Sequence, residues 1–195
     1  MGLNPKKVYA PTPIQDATTG AVAVADTNAT APTDARTALG TGWESGGYVD
    51  ENGLSVTLTR STTAIHDWSK AVVRNLLTEY AGAIALGFLQ VDEFAANAMF
   101  GASNVTTTAA TTSAGAKMKI SIGAELPPIK SYCFSMKDGN ARIRVYVPRG
   151  QFTDVNQIDF KPDAGNVIGG TMATYDDGTG HSIYFMYDDG EVVSG

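Results

Sequence analysis

Two histidines are the residues of this chain whose types could support acid–base chemistry. His66 stands beside Asp67, so a carboxylate could orient its imidazole as a general base, and His181 follows a Gly-Thr-Gly segment. A histidine in a turn with a hydrogen-bonded neighbour is a far commoner reason for such a pair, and we expect His181 to be exposed. No G-x-S-x-G nucleophile motif occurs in the sequence. We therefore predict no catalytic residue and a protein that is not an enzyme.

Two acidic clusters, Asp176-Asp177-Gly178 and Asp188-Asp189-Gly190-Glu191, could offer oxygen ligands to calcium. Neither follows the twelve-residue loop spacing of an EF-hand, and Asp-Gly pairs are strong turn formers. Gly165–Thr171 is glycine-rich but lacks the lysine of a phosphate-binding loop. Cys133 is the single cysteine, which excludes an internal disulfide and a cysteine-based metal cluster. The prediction is no metal and no cofactor site, with turn formation as the role of the acidic clusters.

Composition points to a protein that works through its surfaces. Of the 195 residues only 17% are charged, against about 25% in typical soluble proteins. Residues 1–149 carry 13 Lys or Arg and 12 Asp or Glu, whereas residues 150–195 carry one Lys and eight acids, so the net charges are +1 and −7. This balance is poorly suited to gripping nucleic acid phosphates. The low charge suggests that much of the outside is covered by something.

Alternation of apolar and polar residues predicts that strands dominate the elements. Leu54, Val56 and Leu58 alternate with Ser and Thr, and Asn52-Gly53 favours a tight turn before them, which predicts a hairpin with Tyr48–Glu51 as its incoming strand. Residues 71–90 are compatible with a buried helix or with one or two strands. We favour strands because Gly82 and Gly87 would each weaken a helix by about 1 kcal/mol.

One helix is predicted, over Val91–Gly101, with Asp92 as its N-terminal cap and Gly101 at its end. Its apolar face contains Phe94, Ala95, Ala98 and Met99. Further strands are predicted from the alternating segments 118–122, 132–136, 143–147, 157–160, 167–175 and 181–187, of which the second and third form a hairpin around residues 137–140.

Two tracts of small polar residues separate these elements. Residues 15–42 show no sustained helical or strand period, and residues 104–115 are rich in Thr and Ala. We predict residues 1–42 to be an N-terminal arm and loop, and residues 43–195 to be a single β-rich domain with a loop near 104–115. The fold class is mainly β: a β-sandwich or small barrel of about 8–10 strands with one short flanking α-helix and long extensions. Neither a membrane span nor a secretory signal is predicted.

Several short motifs together resemble the major tail proteins, or tail tube proteins, of long-tailed phages, especially those of actinobacterial hosts. The segments that carry the resemblance are Gly46–Arg60, Ile65–Trp68, Val72–Arg74, Asp138–Gly150, Asp176–Gly180 and Ile183–Gly190. The likeness covers roughly residues 42–100 and 127–190. The segment Gln90–Glu93 only approximates the acidic element of that family, and the tract at 104–115 matches none of its motifs.

The resemblance implies a virion structural protein that assembles with itself. Six copies would form a ring, and stacked rings would form the hollow tail tube that encloses the tape measure protein and conducts DNA to the host. Further implied partners are the tail terminator and tail-tip proteins, with DNA only in transit and no membrane. The protein would be made in the host cytoplasm and function in the virion tail. Alternatives from other classes are a capsid decoration or baseplate component, and a carbohydrate- or calcium-binding module.

Two expectations tie the resemblance to particular residues. Some carboxylates of the acidic C-terminal part would face the lumen and keep DNA from sticking, so that charge reversal of Asp176, Asp177, Asp188 and Asp189 would slow DNA ejection. The hairpin around Asn52-Gly53 would provide the frame for assembly, because a one-residue slip in register turns the apolar side chains to the other face.

Overall fold

A computed structural model of the chain describes residues 3–15, 20–156, 158, 160 and 165–192. These residues form eleven strands, one α-helix and two short 3-10 helices, Pro5–Lys7 and Ala102–Asn104. In chain order the elements are β1 (Thr12–Pro13), β2 (Val22–Ala25), β3 (Glu44–Gly46), β4 (Ser55–His66), β5 (Val72–Phe88), α1 (Glu93–Phe100), β6 (Val105–Thr108), β7 (Lys117–Ile120), β8 (Lys130–Asp138), β9 (Ala141–Val155), β10 (Ile168–Thr174) and β11 (Tyr184–Asp188).

Nine strands form one open antiparallel sheet, in the order β3-β2-β8-β9-β10-β5-β4, with β1 also paired to β8 and β11 also paired to β9. Strands β6 and β7 form a separate hairpin. One edge of β9 is shared, because residues 142–146 pair with β11 and residues 150–155 pair with β10. The prediction of a mainly β fold with one short helix is confirmed. The small barrel named as one of its two forms is not found, since the sheet does not close in the described chain.

The core lies between α1 and one face of this sheet, which we call the inner face. Ile84 and Phe88 of β5, Phe152 of β9 and Met172 of β10 are almost fully buried there against Met99 of α1. Alternate residues of each strand therefore point at the helix, as the period of two requires. The predicted helix is confirmed: Asp92 Oδ1 accepts a hydrogen bond from the Ala95 N–H at 2.9 Å, and Gly101 follows the last turn with a φ of +83°.

The segment 71–90 is one strand of 17 residues, so the preference for strand over helix is confirmed. Gly82 lies opposite Thr174 of the paired strand β10, and a Cβ at this position would lie 2.4 Å from Thr174 Oγ1. The absence of a side chain at Gly82 therefore makes room for the Thr174 hydroxyl. Strands β7, β8, β9, β10 and β11 also occur where the alternation predicts them. The predicted strand 157–160 includes residues outside the described part of the chain.

The predicted hairpin around Asn52-Gly53 is wrong. Val49 forms a bridge with Phe88, and β4 begins by pairing with the same strand, so both segments lie along one edge of β5 instead of pairing with each other. The turn itself exists, since the Gly53 N–H donates to the Asp50 carbonyl at 3.1 Å and Gly53 has a φ of +66°. The turn at residues 50–53 loops out between Val49 and β4, which both pair with the same edge of β5. Asn-Gly preference identifies a turn but does not determine which strand the chain pairs with afterwards.

Two tracts expected to lack regular structure contain strands. Within residues 15–42, β2 lies between β3 and β8 with Val22 and Ala23 buried. Within residues 104–115, β6 pairs with β7 and leaves residues 109–116 as the connecting loop. Small residues such as Ala and Thr show little contrast between the two faces of a strand, which hid both elements from the alternation test. No α-helix in the described chain is long and apolar enough to cross a membrane.

Candidate assembly interface

The two histidines considered for acid–base chemistry are not brought together. His66 is exposed near the end of β4, and Asp67 Oδ1 accepts hydrogen bonds from Ser69 Oγ at 2.6 Å and from the Ala71 N–H at 2.9 Å. The Ser69 hydroxyl, with the Ala71 amide, holds the pKa of Asp67 below its usual range. His181 Nδ1 lies 3.1 Å from Thr179 Oγ1. Asp67 therefore organises a turn, and within the described residues no group of three or more His, Cys, Asp or Glu is placed to hold a metal ion.

The acidic C-terminal clusters have local partners. The Tyr184 hydroxyl, donating to Asp177 Oδ2, lowers the pKa of that carboxyl together with bonds from Thr179. Asp188 pairs with Arg36, and Asp189 lies 3.5 Å from Lys7 Nζ. These contacts agree with turn formation and attach the segments around residues 7 and 36 to the β11 end of the sheet. A lumenal position for the four carboxylates stays a prediction, and Asp188 and Asp189 are partly neutralised by their cations.

The largest unpartnered feature is a two-stranded ribbon that β4 and β5 form beyond the rest of the sheet. β10 accompanies β5 only as far as Gly82, whereas the pairing with β4 continues through Arg60–Tyr80 to His66–Val72. All residues from 72 to 81 are exposed, and the contact of this part with the rest of the described chain is at its base, where the Tyr80 hydroxyl lies 3.1 Å from Ser182 Oγ. An isolated two-stranded ribbon is marginally stable in water, which makes this part of the sheet a candidate contact surface.

Apolar side chains continue along the ribbon to its end. The exposed ones are Leu58, Ile65, Trp68, Val72, Val73, Leu76, Leu77 and Tyr80. Trp68, in the turn that joins the two strands, is 103% exposed and is thus as open to solvent as in an unfolded chain. A run of exposed large apolar residues on one element marks an interaction surface instead of ordinary surface scatter.

The outer edge of β4 is a long unpaired strand edge. β4 pairs on one side with β5 and, within the described residues, has no partner on the other side. Its twelve residues include only Arg60 and His66 as cationic types, with neither Lys nor Pro. Proteins normally protect such an edge with Lys, Pro or a covering element, because its free N–H and C=O groups recruit another strand.

A second open edge lies on the opposite side of the same group of strands. Pairing of β9 with β8 ends at Gly150, and residues 151–155 pair with β10 alone among the described residues. Strands β4, β5 and β10 with residues 151–155 of β9 therefore form a four-stranded unit that is open at both edges. Its two edges come from different elements, so a second copy could pair with either of them.

The outer face of this four-stranded unit is lined by small residues, and we call it the open face. Cross-strand register places the following side chains on it: Ser55, Thr57, Thr59 and Ser61 of β4, Ala81, Ala83 and Ala85 of β5, and Thr171 and Ala173 of β10. Glu79, Gln151 and Asp154 share this face, and the Gln151 amide is held by the Pro127 carbonyl and the Tyr175 hydroxyl. The open face is rich in hydroxyl groups and acidic.

The corresponding face of the other half of the sheet is covered by the chain itself. Arg144 Nη1 donates to the carbonyls of Asp34 and Thr37 at 2.7 and 2.9 Å, and the Trp43 ring packs edge-on against Tyr146 at 6.1 Å between centroids. Residues 34–43 thus form a lid over β8 and β9. Because residues 34–43 contact β9 and not β10, the four-stranded unit presents a sheet face that is bare in the described part of the chain.

Sequence reasoning missed the edge, the ribbon and the open face as functional surfaces. The related signal in the sequence is the pair of long strands at 55–66 and 72–88, with apolar residues on both faces of the second, which indicates that these strands need a cover but does not say what provides it.

The sequence matches the family model described as phage tail tube protein over residues 1–194. A search of curated proteins returned no match. The family match covers almost all of the chain, including the ribbon, the open face and the segments that form β1 and β2.

Proposed function

Because this chain belongs to the phage tail tube protein family, whose members are structural proteins of the virion tail, we propose that six copies form a ring and that rings stack into the hollow tail tube. The observation that carries this proposal is the four-stranded unit with two open edges and a bare face of small residues. We propose further that the phage is of the long-tailed type and infects an actinobacterial host.

The ring forms by pairing of unlike edges. The outer edge of β4 in one copy pairs with the edge of residues 151–155 of β9 in the next copy, which continues the sheet from subunit to subunit. An interface between two different patches closes into a ring when the rotation between copies divides the circle. Closure removes the exposed edges, which is the general solution to the edge problem in β proteins.

The open face then lines the channel, and its size agrees with six copies. Four strands at about 4.8 Å spacing contribute roughly 19 Å of circumference per copy, so six copies give a backbone diameter of about 37 Å before strand tilt widens it further. Barrels of about eight strands are filled by their own side chains, so two copies would leave no channel. Ser, Thr and Ala at the lining positions keep the six-copy channel wide.

The lining chemistry suits passage without binding. Hydroxyl and methyl groups offer no cation to phosphates, and Glu79 and Asp154 repel a polyanion. The tape measure protein would occupy this channel during assembly, and DNA would cross it later. The tail terminator and tail-tip proteins would bind the two ends of the tube, where ring surfaces remain uncovered.

Electron microscopy of the purified full chain, with native mass spectrometry, tests the proposal. We expect six-fold rings or tubes whose wall contains a continuous sheet. A protein that stays monomeric at all concentrations would contradict the proposal, as would closed shells or flat assemblies, which would indicate a capsid decoration or baseplate role. A monomer whose melting temperature rises with a sugar or calcium would instead indicate a binding module.

A further inference from the structure

The end of the ribbon is an ordered, exposed turn with an aromatic and a cationic residue. The Asp67 N–H donates to the Ala71 carbonyl at 2.9 Å and the Lys70 N–H to the Asp67 carbonyl at 3.0 Å. Lys70 is the one residue other than glycine with a positive φ among the described residues, at +66°. Residues that hold this conformation do so because their surroundings determine it, and they occur often at binding sites. Trp68 is fully exposed on this turn.

A cavity of about 330 Å³ lies at the other end of the same strands, and we call it the Asp50 cavity. Ser55 and Ala85 of the open face are among its lining residues, so the cavity lies at the end of that face. Its floor is the cross-strand pair Gly87–Gly169, where the absence of side chains lets Asp50, Val167 and Asn156 lie close to the backbone. Asp50 and Val167 stand at its wall, with Asp50 Oδ2 and Val167 Cγ1 lying 3.0 and 2.6 Å from where a Cβ on Gly87 would be. Asn52 Nδ2 donates to Asp50 Oδ2 at 2.8 Å, whereas Asp50 Oδ1 is buried without a hydrogen-bond partner.

The cavity and the ribbon turn cannot meet within one chain. β5 runs from Val72, next to the turn, to Phe88, next to the cavity. At about 3.3 Å per residue its 17 residues separate the two features by roughly 50 Å. Two different patches at opposite ends of one long element are the arrangement that joins copies head to tail. A second copy displaced along the strand direction would bring its ribbon turn to this cavity, where Lys70 and Asp50 have complementary charges.

We propose that Trp68 of each copy inserts into the Asp50 cavity of a copy in the adjacent ring, with Lys70 pairing with the Asp50 carboxylate. This inference rests on the proposed stacking of rings and names the residues that join one ring to the next. The volume falls in the range of specific pockets, and a buried tryptophan is a frequent energetic anchor of interfaces. Lys70 would offset the free-energy cost of burying the Asp50 carboxylate, whose Oδ1 has no hydrogen-bond partner. The contact is directional, because it joins the turn of one ring to the cavity of the next. One end of the tube therefore presents free turns and the other end presents free cavities.

Substitution of the anchor separates stacking from ring formation. Trp68→Ala should leave six-fold rings intact and raise the protein concentration needed for tubes about tenfold or more, as loss of an interface anchor does. Lys70→Glu and Asp50→Lys should each reduce tube yield, and the double variant Lys70→Glu/Asp50→Lys should restore it. Lys117→Glu on β7 makes the same charge change away from both surfaces and should form tubes like the parent protein. Circular dichroism of every variant checks that the chain is folded.

Cross-linking tests the contact directly. Burial raises the pKa of Cys133 to about 11, and its replacement by Ala gives a background without thiols. In that background, oxidation of Lys70→Cys/Asp50→Cys tubes should produce a ladder of covalent multimers, whereas Lys70→Cys/Lys117→Cys tubes should produce none. If the parent protein forms neither rings nor tubes, the proposed function fails. If it forms tubes but Trp68→Ala assembles equally well, or the 70/50 pair gives no ladder, the docking of Trp68 is wrong and the proposed function stands.

Discussion

Gly53 and the carboxylates of Asp34 and Asp177 show how single residues fix local geometry. Gly53 allows the loop between Val49 and β4 to turn with positive φ, and both carboxylates accept several hydrogen bonds inside exposed turns. The sequence identifies these turns by residue type, because Asp, Asn and Gly have specific turn preferences. It does not identify their partners, such as Tyr184 for Asp177, because these depend on the pairing of distant strands.

We predict that Gly53→Val destabilises the protein, although a Cβ at this position would meet open space. The left-handed conformation costs a residue with a side chain about 1–2 kcal/mol, and a β-branched residue adopts it least readily. Urea unfolding should show the loss as a lower midpoint, and tube yield should fall because Gly53 lines the Asp50 cavity. Gly53→Asn is the matched control, since Asn tolerates positive φ. Equal stability of the Val and Asn variants would contradict this account.

The turn carboxylates should make stability fall in acid. Hydrogen bonds from the Thr37 side chain and amide hold the pKa of Asp34 well below its usual value, and the Tyr184 hydroxyl does the same for Asp177. A carboxyl whose pKa is lower in the folded state stabilises fully above its unfolded pKa, near 4, and loses this contribution as the pH falls towards the folded pKa. We expect the midpoint of urea unfolding to decline below about pH 4. In Asp34→Asn/Asp177→Asn the decline should be shallower, and an unchanged slope would refute the assignment.

At the scale of elements, the strands that alternate were predictable and their surroundings were not. The pattern of Leu54, Val56 and Leu58 indicates one apolar face, yet Leu58 is 47% exposed because it lies where the core ends and the ribbon begins. Alternation of apolar and polar residues indicates that one face of a strand will be covered, but it does not distinguish cover by the same chain from cover by another copy. The ribbon, both edges and the open face could not be read from the sequence for this reason. The helix was predictable because its cap and its buried face are local.

The division into an arm (1–42) and a domain (43–195) stays a prediction, and a truncated chain of residues 43–195 tests it. Val22 is 1% exposed and Ala23 is 4% exposed between β3 and β8. Removal of β2 would uncover the edge of β8 and part of the core, a loss comparable with the few kcal/mol of net stability that domains have. We therefore expect the truncated chain to be unfolded or aggregated. A chain that lacks only residues 1–11 should fold normally. A cooperative unfolding transition of the 43–195 chain would contradict this expectation and support an independent domain.

At the scale of the whole molecule, the proposed ring gives a reason why one part of the large sheet, the open face, is left bare by the described chain. Residues 34–43 cover one half of the outer side and stop before β10. In the proposed ring the bare half becomes the channel wall, so the absence of bulky or cationic side chains on it is a functional property. Composition alone does not identify the family, whereas the short turn motifs resemble those of tail tube proteins, because Gly, Asp and Asn at fixed offsets form a specific pattern that small-residue strands lack.

A positive charge on the open face should impede DNA without preventing assembly. Ala83 lies in β5, an interior strand, and its cross-strand neighbours Thr57 and Ala173 are uncharged. Ala83→Lys would therefore add one lysine per copy to the channel while both sheet edges remain unchanged. Phage carrying this variant should build tails of normal length but eject DNA more slowly at low salt, and the delay should shrink as salt rises because the contacts are with phosphates. Ala83→Gln has a side chain of similar length without charge and should eject DNA at the parental rate. If the Lys and Gln variants eject DNA at the same rate at low salt, Ala83 does not face the path of the DNA and the open face is not the channel wall.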